Sequence, residues 1–394
     1  MKDEPSDTSR LTDRATRRRV LALSGAAGLT GLAGCNTILG GNGNGNGNGD
    51  GPLSIGDFRG SGAFVQGRPA PEGTTMEELP DLSGSLSIYL AGGEGGLYEQ
   101  LIRLFEQYYD DFDPSVELLP TADLVSRIET EHEADAVQAD VFMTVDAGSL
   151  GAVADIGATA TLSDEILAPV PDGFKDGDGN WVGFAGRARS IPYNTNELSE
   201  SDVPDSVHDF PETAALEGAI GWAPSYSAFQ GFITAMRVNR GDEVTRQWLQ
   251  DMLDHGVTEY RDEWYTSNNV ADGNVHLGFA NHYYALRVQR DRPDAPIKLA
   301  FTEDDAGALV NVSGAEVFES TSDAELSNNF VRHLLTAEAQ EFFATRAFAY
   351  PMIPGVQPAG DLPTIDELNP PDIDLTELAD VGGTLDLMRD VGVL

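Results

Sequence analysis

A chain of 394 residues with 65 Asp plus Glu against 24 Lys plus Arg carries a net charge of −41. A surface of that sign repels nucleic acid and anionic lipid headgroups and excludes both as partners; it also fits adaptation to high salt, where self-repulsion is screened within a few ångströms. The one cysteine, Cys35, excludes an internal disulfide and a cysteine-type zinc site.

Near the start, Thr16-Arg17-Arg18-Arg19-Val20-Leu21 leads into an apolar, small-residue run from Ala22 to Ala33. This is the layout of an export signal, and the paired arginines point to the twin-arginine route. The run is too short and too glycine-rich to span a bilayer. Leu32-Ala33-Gly34-Cys35 resembles the lipobox of lipoproteins. Residues 1–35 are therefore expected to be a lipoprotein signal, with Cys35 anchoring a cell-surface protein to the outer face of the cytoplasmic membrane. Residues 36–83 read as a tether and an irregular segment. From Gly41 to Asp50 glycine alternates with asparagine, which gives high backbone entropy and nothing apolar to bury.

The remaining residues, about 310, suffice for two domains with sizeable cores. Leu86–Leu90 alternates as a strand, and Leu97, Leu101, Leu104, Phe105 and Tyr108 recur at helical spacing. A strand at Val116–Leu119, a helix at Thr121–Glu133 and a strand at Ala139–Met143 follow. The rhythm resumes with a strand at Ala219–Trp222, helices at Ala228–Asn239 and Glu243–His255, and a strand at Val275–Phe279. Strand and helix in alternation predict mainly parallel α/β sheets. The chain thus reads as two α/β lobes, with Arg187–Tyr193 and Leu309–Gly314 placed to cross between them, and a cleft between two such lobes is a natural ligand site.

Enzyme motifs are missing from the sequence: no P-loop, no Gly-x-Ser-x-Gly and no His-Glu-x-x-His, and none of the six histidines has metal-motif spacing. The informative segment is Gly278-Phe279-Ala280-Asn281-His282-Tyr283-Tyr284. Adjacent side chains of a regular strand point to opposite faces, but at a strand-to-helix junction two neighbouring tyrosines can converge. Phenolate oxygens are hard donors that suit a hard trivalent cation. The residues alone leave open whether the pair packs in a core, stacks on a sugar or binds a metal.

That segment resembles the tyrosine pair of the ferric-iron-binding proteins of ABC importers. The likeness recurs in order at Ala139-Asp140-Val141-Phe142, Trp181-Val182-Gly183, Gly186-Arg187-Ala188-Arg189, Trp222-Ala223-Pro224, Leu309–Gly314 and Phe342-Phe343-Ala344 with Tyr350-Pro351, so it spans about 84–357. The resemblance implies a two-lobe periplasmic-binding-protein fold of type II, with two crossovers and a ligand cleft between lobes. Lobe one would be 84–187 plus 307–350, and lobe two 188–306 plus 351–394. It implies Fe(III) held by Tyr283 and Tyr284 with carbonate or phosphate as synergistic anion, the latter bound by Arg187, Asn281, Asn269 and the helix start at Ser227 and Ala228. It implies a monomer that makes and breaks no bond and delivers its ligand to a membrane permease.

Two departures and one match accompany the likeness. The glycine-rich turn after the first strand holds Glu94 in place of the histidine found in many relatives, so Glu94 is the candidate oxygen ligand there. Asp146 stands where relatives often use an acid, and Phe229 where some use a third tyrosine. The same family also includes carriers of phosphorylated sugars and other small anions, so such a receptor is the alternative reading.

Overall fold

The computed structural model describes residues 53–92 and 96–394. The export signal, Cys35, the Gly/Asn tract and Glu94 lie outside the described residues.

The first half is built on helix α1 (Ile55–Phe58), strand β1 (Gly84–Ala91), α2 (Leu97–Tyr108), β2 (Phe112–Leu119), α3 (Thr121–Glu133), β3 (Val141–Thr144), α4 (Ala147–Asp155) and α5 (Asp164–Leu167). β1 lies parallel to both β2 and β3, and its Leu86, Ile88 and Leu90 are buried. The predicted stripe on α2 buries Leu101 and Phe105 against this sheet, as its 3.6-residue period demands.

The long strand β4 (Val182–Asn194) carries the chain onward. After it come β5 (Ile220–Trp222), α6 (Ser227–Arg240), α7 (Asp242–Asp254), β6 (Thr258–Glu259), α8 (Glu263–Ala271), β7 (Leu277–Gly278), β8 (Ala280–Asn281), α9 (His282–Asp291) and β9 (Ile297–Ala300). The chain then returns through β10 (Val310–Val317), α10 (Ala324–Leu334), α11 (Ala337–Phe342), β11 (Tyr350–Pro351) and α12 (Val381–Val391).

β4 serves both halves. Its first residues pair antiparallel with β10 and β11, and its last pair antiparallel with β8, β9 and β7. The parallel sheets expected from the sequence are therefore confined to β2-β1-β3 and β6-β5-β7. The crossing strands run against them, because a chain that leaves one sheet and later returns must traverse the junction in both directions. Fold and connections match the two-lobe, type II binding-protein architecture.

Residues 53–83, expected to be an irregular segment, are nevertheless packed onto the body of the protein. Regular structure is limited to α1 and short 3-10 turns at Ala63–Val65 and Met76–Glu78, yet Phe58 and Met76 are both 1% exposed. Two arginines fasten the segment to one carboxylate of α11: Arg59 Nε lies 2.7 Å and Arg68 Nε 2.8 Å from Glu341 Oε1, and the Glu341 side chain is 1% exposed. Arg346 returns the contact by donating to the carbonyl oxygens of Phe58 and Asp57. Low apolar content hid this strap, since charge-assisted bonds and two apolar anchors hold it in place of a periodic face. Glu341→Gln is expected to lower unfolding free energy by about 2 kcal/mol and to speed proteolysis within residues 59–75, measured by urea titration and limited digestion.

The C-terminal residues touch both halves. The 3-10 turn Leu375–Ala379 lies on α4, and α12 packs on α6 and α7. Gly148 and Gly151 permit the first contact: a Cβ on Gly148 would stand 2.8 Å from Ala379 N, and one on Gly151 2.7 Å from Thr376 Cβ.

Candidate functional site

β8 ends at Asn281 and α9 begins at His282, so Tyr283 and Tyr284 fall in the first turn of a helix. A 100° step per residue lets neighbours on a helix share a side that neighbours on a strand cannot. The two rings meet at 4.6 Å between centroids, and Tyr283 and Tyr284 are 2% and 8% exposed. Tyr283 Oη accepts from Asn281 Nδ2 at 3.0 Å, and Tyr284 Oη lies 2.5 Å from Tyr226 Oη. The Arg287 guanidinium sits 4.6 Å from the Tyr283 ring centroid. Burial first, then the neighbouring Tyr283, Tyr226 and Glu263, push the Tyr284 hydroxyl far above its ordinary range.

His282 turns away from the pair's hydroxyls. Its Nδ1 faces the Ala188 carbonyl at 3.2 Å and its Nε2 the Phe348 carbonyl at 2.6 Å. Phe348 presents that carbonyl from a left-handed backbone, φ 59°, where a π-turn over Phe343–Ala347 ends. The two ring nitrogens thus join α9 to the crossing strand β4 on one side and to the end of the π-turn on the other.

The two halves leave a cleft of about 560 Å³, lined among others by Asp146, Arg187, Arg189, Ser227, Ala228 and Asn281; Tyr283 and Tyr284 do not line it and lie behind Asn281 in an apolar cluster. Arg187 and Arg189 are two residues apart on β4, so strand alternation puts both on one face. Arg189 is 3% exposed; its Nη1 donates to Glu263 Oε1 at 2.5 Å and to Asn281 Oδ1 at 3.1 Å. Glu263 Oε2 in turn accepts from Asn281 N at 2.8 Å. An unbroken chain therefore runs from Glu263 through Arg189 and Asn281 to the Tyr283 hydroxyl. Arg189 Nη2 is buried and makes no hydrogen bond to protein, which leaves a charged donor at the cleft wall. The opening turn of α6 adds backbone N–H groups that have no partner within the helix, a general anion-binding arrangement.

Five residues expected from the sequence, Asp146, Arg187, Ser227, Ala228 and Asn281, line this one cleft, and Asn281 joins it to Tyr283. Asp146 is also the N-cap of α4, accepting from Ser149 N at 2.8 Å and Ser149 Oγ at 3.1 Å. Asn269 is a correction: its Nδ2 donates to Tyr265 O and its Oδ1 accepts from Asn274 Nδ2, so the amide closes the end of α8 and does not line the cleft. Phe229 is fully buried between Trp222 and Phe232, a core residue. Sequence reading missed Tyr226, Arg189 and Glu263. Arg189 was recoverable from its i+2 relation to Arg187, whereas Glu263 and Tyr226 are brought in by separate helices and had no local signal. Among the described residues no group of three or more His, Cys, Asp or Glu side chains is placed to hold a metal ion, so the phenols are the metal-donor set on offer.

Residues 100–370 match the family model described as bacterial extracellular solute-binding protein. The chain belongs to that family. The family captures solutes and is not a family of enzymes. The chain is 28% identical over 266 residues to the Fe(3+)-binding periplasmic protein of Serratia marcescens, covering 66% of this chain and 78% of the relative. It is 28% identical over 257 residues to the major ferric iron-binding protein of Neisseria meningitidis serogroup B, covering 60% and 76%. The fold superimposes on the crystal structure of iron-bound HitA from Pseudomonas aeruginosa with a TM-score of 0.69 and 28% identity, covering 78% of this chain and 99% of that one. Among the described residues, no helix is long and apolar enough to cross a membrane.

Proposed function

We propose that the chain captures ferric iron with a synergistic anion, carbonate or phosphate, and hands it to the permease of an ABC importer. The observation that carries this reading is the pair of touching phenols at the start of α9, tied through Asn281 to a cleft with a buried arginine. Tyr283 and Tyr284 would bind Fe(III) as phenolates, the metal displacing their protons. Arg187, Asn281 and the N–H groups of Ser227 and Ala228 would hold the anion, with Arg189 Nη2 as a further donor; Asp146 faces the same cleft and Glu94 completes the candidate oxygen donors. The relatives' names support iron as cargo, and closure of lobe one (84–187 plus 307–350) on lobe two (188–306 plus 351–394) would bury it.

The protein would act as a monomer. Export by the twin-arginine route and lipidation of Cys35 would set it on the outer face of the cytoplasmic membrane, and the net charge of −41 suits a halophilic setting. A melting temperature that does not rise with KCl would remove the last point.

Purified protein given Fe(III) and bicarbonate is expected to develop a visible phenolate-to-iron absorption band, and Tyr283→Phe to weaken iron binding by about 10–100-fold or more and diminish the band. A colourless protein that leaves iron free in solution would rule the reading out. The cleft volume and the unsatisfied Arg189 nitrogen favour a second reading, a receptor for a phosphorylated sugar or another small anion. Calorimetric binding of a hexose phosphate without iron, lost in Arg187→Met, would favour it.

A further inference from the structure

We propose that residues 58–68 of the strap position the phenol pair: they clamp the π-turn over Phe343–Ala347, and through that turn they fix the start of α9. The inference rests on the ferric-iron reading and adds to it a positioning segment that touches neither metal nor anion. This segment precedes residues 100–370, the part of the chain matched to the family. It grips the turn from end to end. Arg59 and Arg68 meet at Glu341, two residues ahead of the turn. Gly60 N donates to Thr345 Oγ1 at 2.8 Å, and a Cβ on Gly60 would collide with the Thr345 carbonyl, so glycine is what lets the strap lie this close. Arg346 donates back to the carbonyls of Phe58 and Asp57. At the far end the Phe64 ring stands edge-on to Phe348, 5.4 Å between centroids.

Phe348 is the link to the site. Its φ of 59° is left-handed, and a bulky residue stays in that region only where its surroundings hold it. Its carbonyl faces His282 Nε2 at 2.6 Å, and His282 is the first residue of α9, followed at once by Tyr283 and Tyr284. The His282 and Tyr283 rings are 5.5 Å between centroids. A second route runs past β11. Arg68 donates to the carbonyls of Gln357 and Pro358, and the next residue, Ala359, is fully buried in one apolar cluster with Phe348, Tyr283 and Tyr284. Phe64 packs against that same cluster. Two phenolates can share one ion only if the helix start that carries them keeps its aim; a start free to tilt has to be ordered at binding, which costs affinity.

The test uses the full chain as wild type, Phe64→Ala, Phe64→Leu and Met252→Ala. Met252 is fully buried on α7, outside the phenol cluster, and its variant controls for lost stability. Iron affinity is measured with Fe(III) and bicarbonate in competition with nitrilotriacetate. Solvent access to Tyr283 and Tyr284 is measured in the metal-free protein by hydroxyl-radical labelling and mass spectrometry. Phe64→Ala is expected to weaken iron binding about tenfold, at the lower end of what a lost outer-shell partner costs a metal site, and to raise labelling of both tyrosines. Phe64→Leu, which keeps an apolar side chain at the contact, should recover most of both changes, and Met252→Ala should match wild type in both. Unchanged iron affinity or unchanged labelling in Phe64→Ala, or equal changes in Met252→Ala, would overturn the proposal. If wild type binds no iron, the ferric-iron reading falls and labelling alone decides the clamp: a rise confined to Phe64→Ala upholds it, and no rise overturns it.

Discussion

Arg189→Met is expected to destabilise the protein by about 3–5 kcal/mol, the usual consequence of leaving a buried carboxylate without its partner. Glu263 is fully buried, and its Oε1 is held by Arg189 Nη1. Without the guanidinium its charge is left uncompensated in a low-dielectric interior. Asn281 loses the donor to its Oδ1 at the same time, so its Nδ2 no longer has a fixed aim at the Tyr283 hydroxyl. The double variant Arg189→Met with Glu263→Met should recover much of the loss, because the charge is removed with its partner. Urea unfolding of the four proteins in a double-mutant cycle measures the coupling. Equal stability of the single and double variants would show that the pair is not coupled as the geometry requires.

Glu316→Gln should be more stable than wild type at pH 8 and nearly equal to it near pH 4.5. Glu316 lies on β10 opposite Phe142 of β3, is fully buried, and neither carboxylate oxygen has a hydrogen-bond partner. Burial first, then the charge of Asp176, raise its pKa well above the carboxylate range. The folded protein therefore keeps a proton that the unfolded chain releases above about pH 4.3–4.5. Since the native state binds more protons, stability is full below the unfolded pKa and is lost as pH rises toward the folded one, by up to about 1.4 kcal/mol per pH unit. Glutamine is neutral in both states and abolishes that slope. Thermal unfolding of both proteins from pH 4.5 to 8 at fixed high salt reads the difference, and parallel curves would contradict it.

Much of the layout was legible because it is written in local periodicity. The helix Thr121–Glu133 is found with the expected ends, and the 97–108 stripe packs as its spacing requires. The strand-to-helix junction before Tyr283 was visible as an apolar run that gives way to Asn281, and the clustering of the two phenols follows from that break. The strap at 53–83 was not legible, since its hold comes from Arg59 and Arg68 reaching a carboxylate more than 270 residues away in the chain. Nor was the amide of Asn269 legible as a helix-end bond, because that depends on how α8 stops.

The order of amino acids alone determined the two alternating α/β halves, the acidic surface, the phenol pair and the arginines spaced two apart, all of which depend on near neighbours and on composition. Tertiary structure decided which helix starts face the shared cleft, that Glu263 neutralises Arg189, and that Tyr226 meets Tyr284. Those contacts join residues 74 and 58 positions apart. Pattern within a window of one or two turns carries no trace of them; only the packing of sheets and the path of the crossing strand bring such residues within a hydrogen bond of each other.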